Sequence, residues 1–102
     1  MPIYMTAQFK VKPESREKCE QAVREFVDYV KRHEPRTRLY TALQETEDAT
    51  NFLHFFVFEN EAARDLHSNS DAVNRFTAIL YPETLAPVEF REYILVASNN
   101  DF

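Results

Sequence analysis

The chain has 102 residues, of which 44% are hydrophobic and 28% are charged, and this composition predicts one globular domain over residues 1–102. Its net charge of −5 argues against a nucleic-acid partner, since phosphate binding needs a face rich in lysine and arginine. The chain contains no glycine, which excludes the Walker and Rossmann phosphate loops because both need glycine for close backbone approach.

The chain is predicted to begin with a strand and a long helix. Apolar and polar residues alternate from Ile3 to Val11, and this period of two predicts a strand with one apolar face. Pro13 closes the strand and opens a helix, which Pro35 is expected to end because the residue before a proline disfavours helical geometry. The helix carries one apolar stripe, formed by Cys19, Ala22, Val23, Phe26, Val27 and Val30.

Two further strands are predicted, over Arg38 to Glu45 and over Phe52 to Glu59. The second of these is apolar on both faces, which predicts a central position in a sheet. One face carries Phe52, His54, Phe56 and Phe58, and the other carries Leu53, Phe55 and Val57.

The remaining residues are predicted to form two short helices, a last strand and a tail. Asparagine and serine stand where helix N-caps are needed, and a proline stands where the second helix must end. The predicted elements are a helix from its cap Asn60 to near His67, a helix from Asp71 (capped by Ser70 or Asn69) to Pro82, a strand from Val88 to Ala97, and a loose tail over 98–102.

The order of these elements predicts an α+β, ferredoxin-like βαββαβ (split βαβ) fold. Such a fold has one four-stranded antiparallel sheet with its helices on one face, and the strand from Phe52 is expected to pair beside the first strand. The other face of the sheet would then leave an apolar patch in water, which is typical of an interface. We therefore expect a homodimer that packs sheet against sheet through Leu53, Phe55, Val57, Tyr93 and Leu95.

Several short motifs stand at the spacing of one known family. They are Lys12-Pro13-Glu14, His33-Glu34-Pro35, Leu39-Tyr40, Phe52, and Glu61-Ala62-Ala63 followed by His67, Ser70 and Phe76. Through these residues, and over nearly the whole chain from Ile3 to Ala97, the chain resembles the antibiotic biosynthesis monooxygenase family and is similar to its quinol monooxygenases. The resemblance implies a dimeric α+β barrel and an oxygenase that uses no metal, flavin or heme. In such an enzyme a base deprotonates a small aromatic quinol or phenol, and the electron-rich anion reduces dioxygen itself.

The chain departs from that family at several polar positions. The family's glutamate and tryptophan on the third strand are replaced by Phe56 and Phe58, and its second histidine falls at Ala72. Heme-degrading relatives carry an asparagine where this chain has Ala7, which disfavours that branch. His67 alone is kept among the polar members of the pattern.

Two histidines are the candidate catalytic residues. His67 matches the family and is interpreted as a base or hydrogen-bond donor at the mouth of a cleft; the alternative is a helix-terminal histidine that bonds the last carbonyls. His54 lies among phenylalanines, where desolvation should keep it neutral near pH 7 and suited to act as a base. The alternative is a core histidine bonded to the backbone or to a tyrosine.

The candidate substrate-binding residues are mostly aromatic: Tyr40, Phe26, Phe56, Phe58, Phe76 and Glu92. Tyr40 could donate to an oxyanion, although a sheet tyrosine more often packs its ring. Glu92 shares a face with apolar residues, and it is a buried functional carboxylate, a product of a strand bulge, or a residue beyond the helix cover. The three scattered histidines lack ligand spacing, so no metal site is predicted.

The predicted function is a cofactor-independent monooxygenase acting on a small aromatic quinol or phenol. One alternative is a non-catalytic barrel that binds a small apolar ligand, which Phe56 and Phe58 favour, and another is an isomerase or lyase that uses His54 as its base. No apolar run approaches the ~20 residues that span a membrane, so no membrane partner is expected. A single cysteine, Cys19, and a start without signal-peptide features predict a cytoplasmic location.

Overall fold

The structure is a computed structural model that describes residues 1–100, so the last two residues of the predicted tail lie outside it. Every predicted helix and strand is present, with bounds that differ by a few residues. In chain order the elements are β1 (Ile3–Lys10), a 3-10 turn (Pro13–Ser15), α1 (Arg16–His33), β2 (Thr37–Gln44), β3 (Asn51–Phe58), α2 (Glu61–Ser68), α3 (Asp71–Leu80), a second 3-10 turn (Tyr81–Glu83) and β4 (Glu89–Tyr93).

The strands form one antiparallel sheet in the order β2-β3-β1-β4. Strand β3 therefore lies inside the sheet and pairs with β1, in a register that sets Ala7 opposite His54. This arrangement confirms the ferredoxin-like α+β fold and the central position that the doubly apolar sequence of β3 predicts. It also means that β3 presents its side chains to both faces of the sheet.

The core fills the space between the helices and one face of the sheet. The even-numbered side chains of β3 from Phe52 to Phe58 are at most 5% exposed, and they share this core with Phe9 of β1 and the predicted stripe of α1. Within the stripe, Val27 is the one residue that is only half-buried. The helix-facing side of β3 is therefore the one that carries His54.

Side-chain caps set the start of both short helices. The Asn60 side-chain oxygen accepts from the Ala63 N–H at 3.0 Å, and the Ser70 hydroxyl oxygen accepts from the Val73 N–H at 3.1 Å. Both residues satisfy N–H groups that an uncapped helix end leaves without partners. The two caps separate α2 from α3 at Asn69, so that α2 packs on β2 and β3 while α3 packs chiefly on α1.

The far face of the sheet, which is the face turned away from the helices, is less exposed than the sequence predicts. The sequence predicts that Val57 lacks a cover within one chain, but it is 0% exposed without a partner subunit. It lies between Tyr4 of β1 and Leu39 of β2, larger side chains that flank it on the same face. Other apolar residues of this face stay exposed: Leu43 at 51%, Leu53 at 38%, Tyr93 at 47% and, just beyond β4, Leu95 at 47%.

The last strand is shorter than predicted and ends at Tyr93 rather than at Ala97. Tyr93 pairs with Tyr4, so the next partners along β1 would be Ile3 and Pro2. Proline has no N–H to give to a ladder, and the pairing stops there. Residues 94–96 consequently leave the sheet, and Ile94 and Val96 are more than nine-tenths exposed.

The backbone follows ordinary conformations throughout the described chain. Among residues 1–100, no residue has a positive φ angle and no peptide bond is cis. Positive φ is the conformation for which glycine is normally needed. The connections are thus built without glycine and without strain of that kind. None of the helices in residues 1–100 combines the length and the hydropathy needed to cross a bilayer.

We expect Ser70→Ala to lower the free energy of unfolding by about 1 kcal/mol, because it removes the α3 N-cap. Urea unfolding followed by circular dichroism measures this change. Ser98→Ala makes the same chemical change in the exposed segment after β4 and should stay within about 0.5 kcal/mol of the parent chain. Equal losses in the two variants would contradict the capping role.

Candidate functional site

A cavity of about 270 Å³ lies between the helix-facing side of the sheet and helices α1, α2 and α3. A cavity of about 150 Å³ is known to hold benzene in an apolar protein core, so this one has room for a ligand of two fused rings. All of the predicted site residues except Glu92 line it. Those lining residues are Phe26, Tyr40, His54, Phe56, Phe58, His67 and Phe76.

His67 is held against the cavity by a buried carboxylate. Its Nδ1 lies 2.7 Å from Oε1 of Glu34, and each side chain is only 10% exposed. Glu34 follows directly after α1, and its Oε1 also accepts from the Thr37 hydroxyl at 2.8 Å. The pair therefore ties the C-terminal end of α1 to the start of β2 and to the last turn of α2.

The chemistry of Glu34 decides which nitrogen of His67 faces a ligand. Burial works to raise the pKa of Glu34, but the hydrogen bonds from His67 and Thr37 hold that pKa below its usual value. An ionised carboxylate only accepts hydrogen bonds, so Nδ1 of His67 must carry a proton. Nε2 is then the nitrogen of His67 that can exchange a proton with a ligand.

Ring packing restricts the orientation of the His67 imidazole. The ring centroids of Phe58 and Phe26 lie 5.1 and 5.5 Å from that of His67. The alternative interpretation predicts a bond from His67 to the last helix carbonyls. In the structure, Nδ1 of His67 is bonded to Glu34 instead. A fixed ring with one proton held by a carboxylate is the arrangement that general-base histidines share.

Glu34 is a site residue that the sequence interpretation missed. It stands in the His33-Glu34-Pro35 motif, where Pro35 explains the end of the helix and nothing local gives Glu34 a role. One signal could have found it: an acidic residue at a helix C-terminus lies where the helix dipole disfavours negative charge. Such a placement needs a compensating partner, and His67 supplies it.

His54 and Tyr40 form a second polar pair on the cavity wall. The Tyr40 hydroxyl lies 2.8 Å from Nδ1 of His54, which is 1% exposed. Desolvation by burial lowers the pKa of His54 to about 4, so its ring is neutral near pH 7. Burial also raises the pKa of Tyr40, with the charges of Glu34 and Tyr81 adding to the effect, so its hydroxyl keeps its proton.

One nitrogen of His54 is left without a partner. Within residues 1–100, Nε2 of this ring is buried and makes no hydrogen bond. A buried polar atom without a partner is costly, and in native proteins it commonly marks a place where a ligand or a water completes the site. The bond to Tyr40 agrees with the alternative interpretation of His54, a core histidine bonded to a tyrosine. That interpretation does not account for the second ring nitrogen, which has no partner in a residue that lines the cavity.

The two pairs lie side by side because Tyr40 contacts both imidazoles. Its ring centroid is 5.4 Å from that of His54 and 5.7 Å from that of His67. The Tyr40 ring also stacks on Phe56, with centroids 4.9 Å apart. The polar groups thus form a row, Glu34–His67–Tyr40–His54, surrounded by aromatic rings.

Glu92 is the predicted site residue that lies apart from this row. It is on the helix-facing side of β4, but β4 is an edge strand that the helices do not cover, and the Glu92 side chain is 62% exposed. Its nearest cation is Arg64 of α2, which lines the cavity. Of the three interpretations of Glu92, the geometry agrees with a residue beyond the helix cover. In the described part of the chain, no three or more His, Cys, Asp or Glu side chains are grouped to hold a metal ion.

Comparisons with known proteins agree with this architecture. The sequence matches the family described as "Antibiotic biosynthesis monooxygenase" over residues 2–78, which confirms the resemblance. The solved structure of an antibiotic biosynthesis monooxygenase has a TM-score of 0.86 at 21% identity, covering 93% of this chain and 99% of that one. No protein of curated function matches the sequence significantly.

Two further solved structures have the same fold. A protein from Mycobacterium tuberculosis is 17% identical with a TM-score of 0.88, covering 98% of this chain and 100% of that one. A protein from Pseudomonas aeruginosa is 22% identical with a TM-score of 0.84, covering 94% of this chain and 95% of that one. At such low identities the likeness establishes the fold alone.

The burial of His54 predicts a dependence of stability on pH. Between pH 6.5 and about 4 the unfolded chain binds a proton that the folded chain excludes, so stability must fall as the pH falls through this range. From pH 7 to pH 5 we expect the free energy of unfolding to drop by about 2 kcal/mol through His54 alone. Urea unfolding at both pH values measures the drop.

Two variants isolate the contribution of His54. The drop should shrink by about that amount in His54→Gln, because glutamine does not titrate. His33→Gln, which removes an exposed histidine of α1, should leave the drop unchanged. The same drop in His54→Gln as in the parent chain would refute the neutral, buried imidazole.

Proposed function

The chain belongs to the antibiotic biosynthesis monooxygenase family, and we propose that it is a cofactor-independent monooxygenase that oxidises a small aromatic quinol or phenol with dioxygen. The observation that carries the proposal is the His67–Glu34 pair on the wall of an aromatic-lined cavity. An aromatic ligand is favoured because most of the wall is apolar and the polar groups are few and placed together.

In this proposal His67 is the general base. Its Nε2 takes the proton of the bound hydroxyl group, and the ring becomes positively charged. Glu34 lies 2.7 Å from the other nitrogen, where it holds the reactive tautomer and faces the charge that develops. The carboxylate is already ionised and 10% exposed, so it is in place to stabilise the charge before the proton moves.

His54 is better suited to stabilise the anion than to accept its proton. A pKa of about 4 makes His54 a weak base at neutral pH. When the Tyr40 hydroxyl donates to Nδ1, Nε2 of His54 carries a proton and has no acceptor among residues 1–100. A phenolate oxygen would complete that bond in a mostly apolar cavity, where a donor is worth more than in solution.

The substrate supplies the electrons in the proposed reaction. A deprotonated quinol reduces dioxygen, one oxygen atom enters the ring as a carbon–oxygen bond, and the other leaves as water. The products are a hydroxyquinone and water, so a quinol and one dioxygen balance without a further reductant. The role of the chain is to remove the proton, hold the anion and keep the ring among Phe26, Phe56 and Phe76.

We expect His67→Ala to reduce kcat/KM for oxygen uptake on the order of 100-fold, because it removes the base. Glu34→Gln should reduce kcat/KM by at least about tenfold, since a neutral amide holds the tautomer and the developing charge less well. Oxygen consumption with a panel of hydroquinones and naphthols measures both. His33→Ala is the matched control, as it removes an exposed histidine one residue before Glu34.

Each outcome of the panel has a different meaning. Uptake that is unchanged in His67→Ala, Glu34→Gln and His54→Gln would remove these residues from the site and leave the reaction class standing. Binding of the aromatic compounds without any oxygen uptake would favour the alternative, a barrel that binds a small apolar ligand. The observation that favours this alternative is that Phe56 and Phe58 are apolar and buried.

The same proposal includes a homodimer that packs through the far face of the sheet. Leu43 and Leu53 stay 51% and 38% exposed there, and Tyr93 is 47% exposed beside them. Apolar residues grouped on one face are typical of an interface rather than of a surface that stays in water. Sedimentation at micromolar concentration should give twice the mass of one chain.

Leu53→Glu is expected to dissociate the dimer, because it places a charge in the middle of the interface. Leu66→Glu is the matched control, since Leu66 is 65% exposed on α2, away from the far face of the sheet. A parent chain that sediments as a monomer, or a Leu53→Glu variant that stays dimeric, would refute this part of the proposal.

A further inference from the structure

We propose that Arg64 binds a carboxylate group of the ligand, so that the cavity takes a hydroxyaryl carboxylic acid rather than a neutral phenol. This inference rests on the proposed function only in using the same cavity and the same hydroxyl contact at His67. It concerns the choice of ligand, and Arg64 is not one of the residues that match the family.

Arg64 is placed on the same face of α2 as the proposed base. It precedes His67 by three residues and Ser68 by four, and all three line the cavity. Residues at these spacings are neighbours on a helix, with Cβ atoms about 5–6 Å apart. A ligand of one or two rings could therefore place a hydroxyl group at His67 and an acidic group at Arg64.

The charge of Arg64 is unusual for its surroundings. Among residues 1–100, it is the one lysine or arginine that lines this cavity, and its side chain is only 33% exposed. Its partner Glu92 on the edge strand is 62% exposed, which puts Arg64 near the mouth of the cavity. A guanidinium group that is partly withdrawn from water beside apolar rings favours an anion as its partner.

The ion pairs that Arg64 makes are long and exposed. Its Nε lies 3.8 Å from Asp65, and its Nη1 lies 3.9 Å from Glu92, both beyond hydrogen-bond distance. The two carboxylates are 68% and 62% exposed, and pairs of that kind contribute little. The planar fork of Arg64 is thus available for two parallel hydrogen bonds to a ligand carboxylate.

Glu92 is then the group that the ligand displaces. It reaches toward Arg64 from β4, on the helix-facing side of the sheet, so the long pair spans the mouth between α2 and the edge strand. A ligand carboxylate inside the mouth would take over the guanidinium and leave Glu92 in water. This explains what an acidic residue does on a strand face that it shares with Phe90.

A single carboxylate fits these charges better than a phosphate group. One arginine faces the ligand, and two carboxylates stand close to it, so a second negative charge on the ligand would be left without a cation. The net charge of −5 adds to the disadvantage of a doubly charged ligand. A planar carboxylate also matches the fork geometry of arginine.

The experiment compares two fluorescent probes of equal ring size, 1-hydroxy-2-naphthoate and 1-naphthol, titrated with the full chain. In Arg64→Gln we expect the Kd of the naphthoate to rise on the order of tenfold, since a charge-assisted pair is lost, and the Kd of 1-naphthol to stay within about twofold. Glu92→Gln should tighten naphthoate binding several-fold by removing the competitor. Arg75→Gln, which removes an exposed positive charge of α3, is the matched control and should change neither Kd.

Other results would overturn the inference. Arg64→Gln would point to a packing role if it weakened both probes equally, and to no role if it weakened neither. A parent chain that binds neither probe at millimolar concentration also refutes it. Arg64-dependent naphthoate binding without oxygen uptake would keep the inference and remove the monooxygenase, whereas uptake with neutral phenols and no preference for the acid would do the reverse.

Discussion

A buried carboxylate stays ionised where hydrogen bonds compensate for the water it has lost. The cavity depends on one such carboxylate, that of Glu34. Oε1 of Glu34 receives such bonds from His67 and Thr37, which belong to α2 and β2, while Glu34 itself follows the end of α1. Its Oε2 is buried and has no hydrogen-bond partner within residues 1–100. Three elements are joined there by one side chain. The same contacts that keep the carboxylate charged also orient the imidazole, so the packing of the fold and the preparation of the site are a single arrangement.

Strand β3 provides the other half of the arrangement, because it carries residues of the cavity on one face and of the sheet's outer side on the other. Its central place in the sheet leaves His54 only 1% exposed, on the wall of the cavity. Burial without a second hydrogen-bond partner is unfavourable for His54 itself. The chain tolerates this cost where a ligand can relieve it, as functional sites commonly do.

The fold was open to prediction from periodicity and caps, because local rules and global packing agree in this chain. The alternation in β1, the stripe of α1 and the caps Asn60 and Ser70 are all local signals, and the structure has each of them. The aromatic lining of the cavity was also predictable, since it follows from which side of β3 faces the helices. Val57 was not, because its burial comes from cross-strand neighbours that only the register brings together. Glu34 and Arg64 were missed for the same reason: their meaning lies in partners on other elements, one of them 33 residues away along the chain.

The absence of positive φ angles in the described chain has a consequence for how such a site can change. Because no connection in residues 1–100 depends on a left-handed backbone, each loop position is compatible with a side chain of ordinary stereochemistry. The rim that leads from α3 to β4 can therefore exchange one side chain for another while its backbone path is kept. Ligand preference in this fold can therefore evolve by single substitutions, without insertions and without a change of backbone conformation.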